Sequence, residues 1–267
     1  MKSFITILLI CFCAISNGQK YNFKRFSVEE GLSQPGLFCL QEDYHGNLWV
    51  GLDNGGVQVF DGWKFKTIDN RITGKNIRAL FNSSEGDMWI GSSTDGITVL
   101  GSDTIHLGHE QGLVSNHVRS FCEDIKGKIW VSTIGGGVVV FEDKTVFKSY
   151  EYDNGLPSLN SRAVLSAHNG NVWVGTDRGL VVFKDYQVVT TYSKKKGLLG
   201  NKILALTQDH EGNVWVGTEK GLNMIATDTI LSFDREFGLK GKRVKSLLVD
   251  AKNKIWIGTR NGLGCLS

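Results

Sequence analysis

Residues 197–222 read GLLGNKILALTQDHEGNVWVGTEKGL, and variants of this stretch recur along the chain. Its tryptophan belongs to a series spaced by 40 to 43 residues: Trp49, Trp89, Trp130, Trp173, Trp215 and Trp256. Glycine or asparagine stands three residues before each Trp, and glycine or serine two residues after it. A repeat of roughly 40 to 45 residues in this register is typical of a β-propeller blade.

The residue pattern within each repeat predicts four short strands. In the third repeat, residues 118–122, 128–133, 138–141 and 146–150 are rich in β-branched and aromatic residues, with Gly, Asp and Asn between them. The fold class is therefore predicted to be all-β, a β-propeller of about six four-stranded blades over residues 19–267. The sixth repeat ends after its third strand, so we expect the N-terminal strand Tyr21–Val28 to complete the last blade. The alternative is that the repeats form part of a seven-bladed propeller.

Composition excludes several classes. The 33 Gly residues have no three-residue period and there are only 2 Pro, which excludes collagen. Disorder is excluded because 41% of residues are hydrophobic and 10% aromatic. A net charge of +3 gives no electrostatic reason to expect nucleic acid as a partner.

Residues 1–18 have the features of a secretory signal peptide. Lys2 supplies the positive start, an apolar run follows over residues 4–15, and small residues precede the expected cleavage after Gly18. The run of 12 residues is too short to span a bilayer of about 30 Å as a helix, although a membrane anchor is the alternative. We therefore expect a periplasmic or secreted protein with no membrane span after cleavage.

The motif Gly-Leu, a short strand, then Asp-x-x-Gly-Asn-aliphatic-Trp-Val-Gly-Thr-x-x-Gly-Leu is nearly complete over residues 197–222. It resembles the two-component regulator propeller repeat. The resemblance implies the periplasmic sensor region of the hybrid two-component systems of Bacteroidetes. Their propellers recognise oligosaccharides and signal through a β-sandwich, a membrane helix and a histidine kinase. No such parts follow Ser267, so we expect the sensor portion alone, with kinase activity residing in C-terminal domains absent from this chain.

Two alternatives to a sensor remain open. The repeats are also similar to the propeller of streptogramin lyases, which would need a histidine and a carboxylate at the channel mouth, and His117 is the histidine expected there. The other alternative is a non-catalytic scaffold or a truncated sensor fragment. Because the sequence shows no catalytic constellation, no Cys-x-x-Cys pair and no complete metal motif, we expect no enzyme activity, no metal and no cofactor.

Candidate ligand residues come from two sets of positions. Eleven residues before each Trp the chain carries Phe38, Arg78, Arg119, Arg162, Leu204 and Lys245. The four cations are predicted to form an arc at the channel mouth that binds an acidic or sulfated saccharide, since a guanidinium fork suits carboxylate and sulfate. Pairing of these cations with loop carboxylates is the alternative.

The second set lies between the Trp strand and the third strand, in loops that differ from blade to blade. Its candidates are Asp53, Asn54, Asp95, Asp177, Arg178, Glu219, Lys220 and Arg260. Ordinary solvated turn residues are the alternative for each of them. Trp63 stands outside the tryptophan series, and it is expected either to stack on a sugar or partner or, by a small margin, to pack at the blade edge.

Overall fold

The structure is a computed structural model that describes residues 24–68, 71–227, 229–234, 238–239 and 241–266. The predicted signal peptide lies outside the described residues. Within these ranges the chain forms six antiparallel sheets, here called blades 1 to 6, that follow one another in sequence. The predicted all-β propeller of six blades is therefore confirmed.

In each blade the strands pair in chain order, with the Trp strand second. Blades 1 to 3 contain β1 (Leu37–Glu42), β2 (Leu48–Leu52), β3 (Val57–Phe60), β4 (Phe65–Thr67), β5 (Ile77–Asn82), β6 (Met88–Ser92), β7 (Ile97–Leu100), β8 (Thr104–Leu107), β9 (Val118–Glu123), β10 (Ile129–Thr133), β11 (Gly137–Glu142) and β12 (Thr145–Tyr150). Blades 4 to 6 contain β13 (Ser161–Ser166), β14 (Val172–Thr176), β15 (Gly179–Lys184), β16 (Gln187–Tyr192), β17 (Ile203–Gln208), β18 (Val214–Thr218), β19 (Leu222–Ile225), β20 (Ile230–Phe233), β21 (Val244–Val249), β22 (Ile255–Thr259) and β23 (Gly262–Leu266). Three single 3₁₀ turns link blades 2 to 5 in the described part of the chain: His109–Gln111, Tyr152–Asn154 and Lys194–Lys196.

The first strands of successive blades lie side by side: β1 contacts β5, and the series continues through β9, β13 and β17 to β21. These six strands therefore form the inner wall of the propeller. The core lies between the blades, where the faces of two neighbouring sheets meet. Between blades 2 and 3, for example, Trp89 and Val99 pack against Ile129, Val131 and Phe141.

The glycine two residues after five of the six series tryptophans is small enough for a neighbouring blade to approach closely, as two examples show. A Cβ atom on Gly91 would lie 2.5 Å from Val118 Cγ1 of the next blade, and one on Gly175 would lie 2.5 Å from Ile203 Cγ2. Blade 3 has Ser132 at this position, and the residue of the next blade that fills the Ile or Val position is the small Ser161. The larger residue on one blade is thus matched by a smaller one on its neighbour.

The tryptophan series forms part of the core, as its aliphatic flanks indicate. Trp89, Trp130, Trp173 and Trp215 are buried, whereas the end members Trp49 and Trp256 are half-buried. Trp63 is different, because its side chain is 92% exposed on the turn between β3 and β4. The favoured expectation that Trp63 packs at the blade edge is therefore wrong.

Blade 6 has three strands in the described residues, with β23 paired to β22 only. Residues 24–28 form no ladder with it, and Phe26 instead packs at ring-centroid distances of 5.0 and 5.7 Å from Phe60 and Phe65 of blade 1. The prediction that Tyr21–Val28 completes the last blade is therefore corrected for its described part, while residues 21–23 lie outside the description. The physical reason is distance, since no contact comparable to those between successive inner strands joins β21 to β1.

Candidate functional site

Two sets of loops meet on one face of the propeller. In five blades the backbone N–H of the residue just after the Trp strand donates to the carbonyl of the residue just before the inner strand. These bonds run from Asp53 to Gly36, Ser93 to Asn76, Ile134 to His117, Asp177 to Asn160 and Glu219 to Lys202, at 2.8 to 3.2 Å. The predicted ligand loops and the start of the inner strands therefore share a face.

Three of the predicted arginines converge on this face. Arg78, Arg119 and Arg162 are each the second residue of an inner strand, β5, β9 and β13, and each is half-buried. Burial, followed by the charges of Arg162 and Arg78, lowers the pKa of the Arg119 guanidinium below its usual value. Three like charges therefore act on one another across blades 2, 3 and 4.

His117 lies beside the same three arginines. Burial is the largest cause that lowers the pKa of its imidazole, and the charges of Arg119, Arg78 and Arg162 lower it further. A histidine in these surroundings favours the neutral form at pH 7. The charged groups that shift the pKa of His117 are the three arginines.

Arg162 is neutralised within its own blade. Its guanidinium forms an ion pair with Asp177, in which Nη2 donates to Oδ2 at 3.0 Å. Asn160 also donates to this carboxylate, and the Lys202 ammonium lies 3.4 Å from it. Burial alone would raise the pKa of Asp177, but the hydrogen bond and charge of Arg162, with Lys202, lower it overall. The alternative of pairing with a loop carboxylate therefore holds for Arg162.

Arg78 and Arg119 have no such partner. Neither forms an ion pair in the described residues, and the Nε atom of each is buried without a hydrogen bond. The position that Asp177 holds in blade 4 is occupied by Ser93 in blade 2 and Ile134 in blade 3. The Arg78 guanidinium carbon lies 3.4 Å from the ring centroid of Phe38, which covers one face of the cation.

The other predicted site residues do not join this cluster through any side-chain bond in the described residues. Lys245, Arg178, Lys220 and Arg260 are exposed. The acidic members accept hydrogen bonds from loop residues: Asp95 from Ser92 Oγ at 3.1 Å, and Glu219 from the Lys202 backbone N–H at 2.9 Å. Asp53 and Asn54 are exposed, and both donate through backbone N–H groups, to Gly36 and Asn76.

Phe38, Ser93 and Ile134 are the site residues that sequence reasoning missed. The sequence shows Phe38 only as an uncharged member of the series eleven residues before each Trp. The residue four positions after a Trp becomes informative only when it is compared with the residue eleven positions before the same Trp. That comparison separates blade 4, where arginine meets aspartate, from blades 2 and 3, where arginine meets serine or isoleucine. The sequence alone therefore held the signal for which arginines are free.

Within the part of the chain that the structure describes, no three His, Cys, Asp or Glu side chains are grouped so as to hold a metal ion. No helix there is long and apolar enough to cross a membrane. The cysteines Cys39, Cys122 and Cys265 are free thiols, and burial raises the pKa of the Cys39 thiol to about 12. Such a pKa keeps the thiol protonated, so Cys39 packs as a small apolar residue in the inner strand β1.

The repeats match a known sequence family. The profile described as "Two component regulator propeller" matches residues 112–135, 155–178, 197–220 and 238–261. These four segments match the two component regulator propeller repeat. The resemblance inferred from residues 197–222 is therefore confirmed, and the matches lie in the last four of the six Trp-centred units.

Solved structures of related fold include the extracellular domain assigned to the hybrid two component system BT3049 of B. thetaiotaomicron. It is 26% identical with a TM-score of 0.80, and the alignment covers 88% of this chain and 34% of that one. The corresponding domain of BT4673 is 22% identical with a TM-score of 0.71, over 88% of this chain and 33% of that one. The chain thus spans about a third of the length of these extracellular domains.

Virginiamycin B lyase from Staphylococcus aureus shares the fold as well. A catalytically inactive variant is 14% identical with a TM-score of 0.73, over 87% of this chain and 81% of that one. At this identity the likeness shows the fold alone. A search of curated protein sequences finds no match.

Proposed function

We propose that this propeller is the ligand-binding part of an exported sensor that works with a two-component system, and that its ligand is an oligosaccharide. The observation that carries the proposal is the likeness to the BT3049 extracellular domain, at 26% identity and a TM-score of 0.80 over 88% of the chain. The family match of four repeats supports the same role. The partner that carries the signal would be a histidine kinase assembly.

The proposed binding surface is the loop face around Arg78, Arg119 and Arg162. Its loops differ between blades while the framework repeats, as ligand-facing loops do on a rigid scaffold. The remaining predicted residues at these loops, from Asp53 to Arg260, would shape the surrounding surface. Outside the loop face, the exposed Trp63 has an aromatic surface of the kind that stacks on sugars.

Export through the signal peptide of residues 1–18 belongs to the same proposal. Its support is that the relatives of known structure are described as extracellular domains. Mass spectrometry of the protein recovered from the periplasm would detect an N-terminus at Gln19 if cleavage follows Gly18. An intact Met1 in that fraction would contradict this part of the proposal.

A glycan-binding experiment tests the ligand class. The full chain is screened against neutral, uronic-acid and sulfated oligosaccharides, and each hit is repeated with Arg119→Ala. We expect saturable binding to a subset of the oligosaccharides, weakened by the substitution. Absence of binding across all three classes would overturn the proposed function, and Glu110→Ala, at an exposed turn residue, serves as the matched control.

A further inference from the structure

We propose that Arg78 and Arg119 form a subsite for one oxyanion, a sulfate ester or a carboxylate on the ligand, and that Ser93 and Ile134 keep this subsite open. The inference rests on the proposed function. It narrows the proposed binding surface to the side chains of Arg78 and Arg119 and to the two positions, Ser93 and Ile134, that leave these side chains unpaired. Arg162, although it stands in the same series, is excluded from the subsite by Asp177.

The first argument is the unmet hydrogen-bonding capacity of the two arginines. Their Nε atoms are buried without a partner, and neither guanidinium forms an ion pair in the described residues. A buried donor that has no acceptor destabilises the folded protein, and the cost is larger when the group is charged. An oxyanion placed between the two forks would accept from their terminal N–H groups, which have no acceptor among the described residues.

The second argument is the charge around the pair. Arg119 is influenced by Arg162 and Arg78, and the one carboxylate among the groups that act on it belongs to Asp177, which is already bound to Arg162. His117, with its lowered pKa, adds no negative charge. A bound anion would offset this repulsion, so the site gains more from an anion than from a neutral hydroxyl.

The third argument is orientation. The ring of Phe38 lies over the Arg78 guanidinium, which covers one face of the cation and holds its plane. A planar fork held in this way keeps its N–H edges available, and such an edge suits a sulfate or carboxylate group. Phe38 of blade 1 thus fixes the orientation of the Arg78 guanidinium, which belongs to blade 2.

Blade 4 shows what happens when the protein supplies the anion itself. There the residue four positions after the Trp is Asp177, and it binds the arginine of the same blade. Ile134 and Ser93 occupy the equivalent positions of blades 3 and 2, and their backbone N–H groups make the same bond to the neighbouring loop as that of Asp177. Aspartate at either position would therefore stand where it can pair with the arginine of that blade.

The experiment introduces an aspartate, as an internal anion, at the equivalent positions of blades 3 and 2. Binding of inorganic sulfate, glucose 6-sulfate, glucuronic acid and glucose is measured by calorimetry and NMR on the full chain and its variants. We expect Ile134→Asp to weaken binding of the anionic probes by about tenfold or more, with Ile134→Asn close to wild type. Ser93→Asp, at a half-exposed residue, repeats the test on Arg78 if Ile134→Asp fails to fold.

Asp177→Asn is the opposite change. It releases Arg162 and should tighten anion binding by several-fold.

The ratio of glucose 6-sulfate to glucuronic acid affinity distinguishes the two sources of the oxyanion. Wild-type protein that binds none of the anionic probes, or equal binding by Ile134→Asp and Ile134→Asn, would overturn the inference. If neutral oligosaccharides bind equally well to all these variants, the proposed function holds without the subsite. If sulfate binds but no saccharide does, the subsite holds and the proposed saccharide sensing is overturned.

Discussion

The indole Nε1 of Trp130 donates to the carboxylate of Asp124 at 2.9 Å, six residues earlier in the chain. The same aspartate accepts from the backbone N–H groups of Lys126 and Lys128 and from the Tyr186 hydroxyl of the next blade. One carboxylate therefore closes the turn between β9 and β10, fixes the core tryptophan and joins two blades. Equivalent bonds join Asp43 to Trp49, Asp209 to Trp215 and Asp250 to Trp256.

We expect Asp124→Ala to reduce the free energy of unfolding by roughly 3 kcal/mol, because it leaves several buried donors without an acceptor. Chemical denaturation monitored by circular dichroism measures the change. Asp103→Ala, at an exposed turn, is the control and should stay within about 0.5 kcal/mol of wild type. A loss at Asp124 no larger than that at Asp103 would contradict the role given to this bond.

Blade 4 lacks this bond, and a substitution should restore it. Ala167 replaces the aspartate, although its backbone makes the same turn bonds, and Trp173 Nε1 is buried without a partner. We expect Ala167→Asp to raise the free energy of unfolding by about 1 kcal/mol. The gain should disappear in a Trp173→Phe background, which has no indole donor. Equal effects in both backgrounds would show that the bond is not restored.

Periodicity predicted the fold because a propeller repeats the same packing problem in each blade. The glycine two residues after the tryptophan, such as Gly91 or Gly175, is needed because a Cβ atom there would clash with the next blade. The same constraint recurs from blade to blade, and so the pattern recurs in the sequence. Ligand-facing residues carry no such redundancy. Which arginine is neutralised depends on a contact between Arg162 and Asp177, and that contact becomes visible only when two series are compared blade by blade.

The ends of the propeller were the least predictable part of the fold. Phe26 belongs to one apolar cluster with Leu32 and Phe65. The N-terminal segment was predicted to complete blade 6, and its Phe26 instead packs against blade 1. Strand pairing with β23 depends on where the last blade lies relative to the first, and a one-dimensional register contains no information on that distance.

Stability should fall at acidic pH through the turn carboxylates. Burial alone would raise the pKa of Asp43, but hydrogen bonds from Trp49, Asn47 and the His45 backbone lower it to about 2. A folded-state pKa below the unfolded value of about 4 contributes stability that is present above pH 4 and lost as the pH falls through about 2. Thermal melts from pH 7 to 2 should show this decline, and Asp43→Asn should reduce its slope.

Trp63 gives a site-specific optical probe. Its side chain is 92% exposed, whereas four members of the tryptophan series are buried. We expect Trp63→Phe to remove most of the acrylamide-quenchable fluorescence while changing the free energy of unfolding by less than about 0.5 kcal/mol. Trp89→Phe, inside the core, should do the reverse. Unchanged quenching in Trp63→Phe would mean that this side chain is covered in solution.

His117 reports on the charge of the arginine cluster. Its pKa is lowered first by burial and then by Arg119, Arg78 and Arg162, so replacing Arg119 by Gln should raise it toward its ordinary value. A bound sulfate should raise it as well, because an anion favours the protonated imidazole. Linkage then requires that the anion bind more tightly as the pH falls through the pKa of His117. Histidine NMR titrations with and without sulfate measure both effects, with exposed His210 as the internal control. A His117 pKa that neither Arg119→Gln nor sulfate moves would place the histidine outside the field of the cluster.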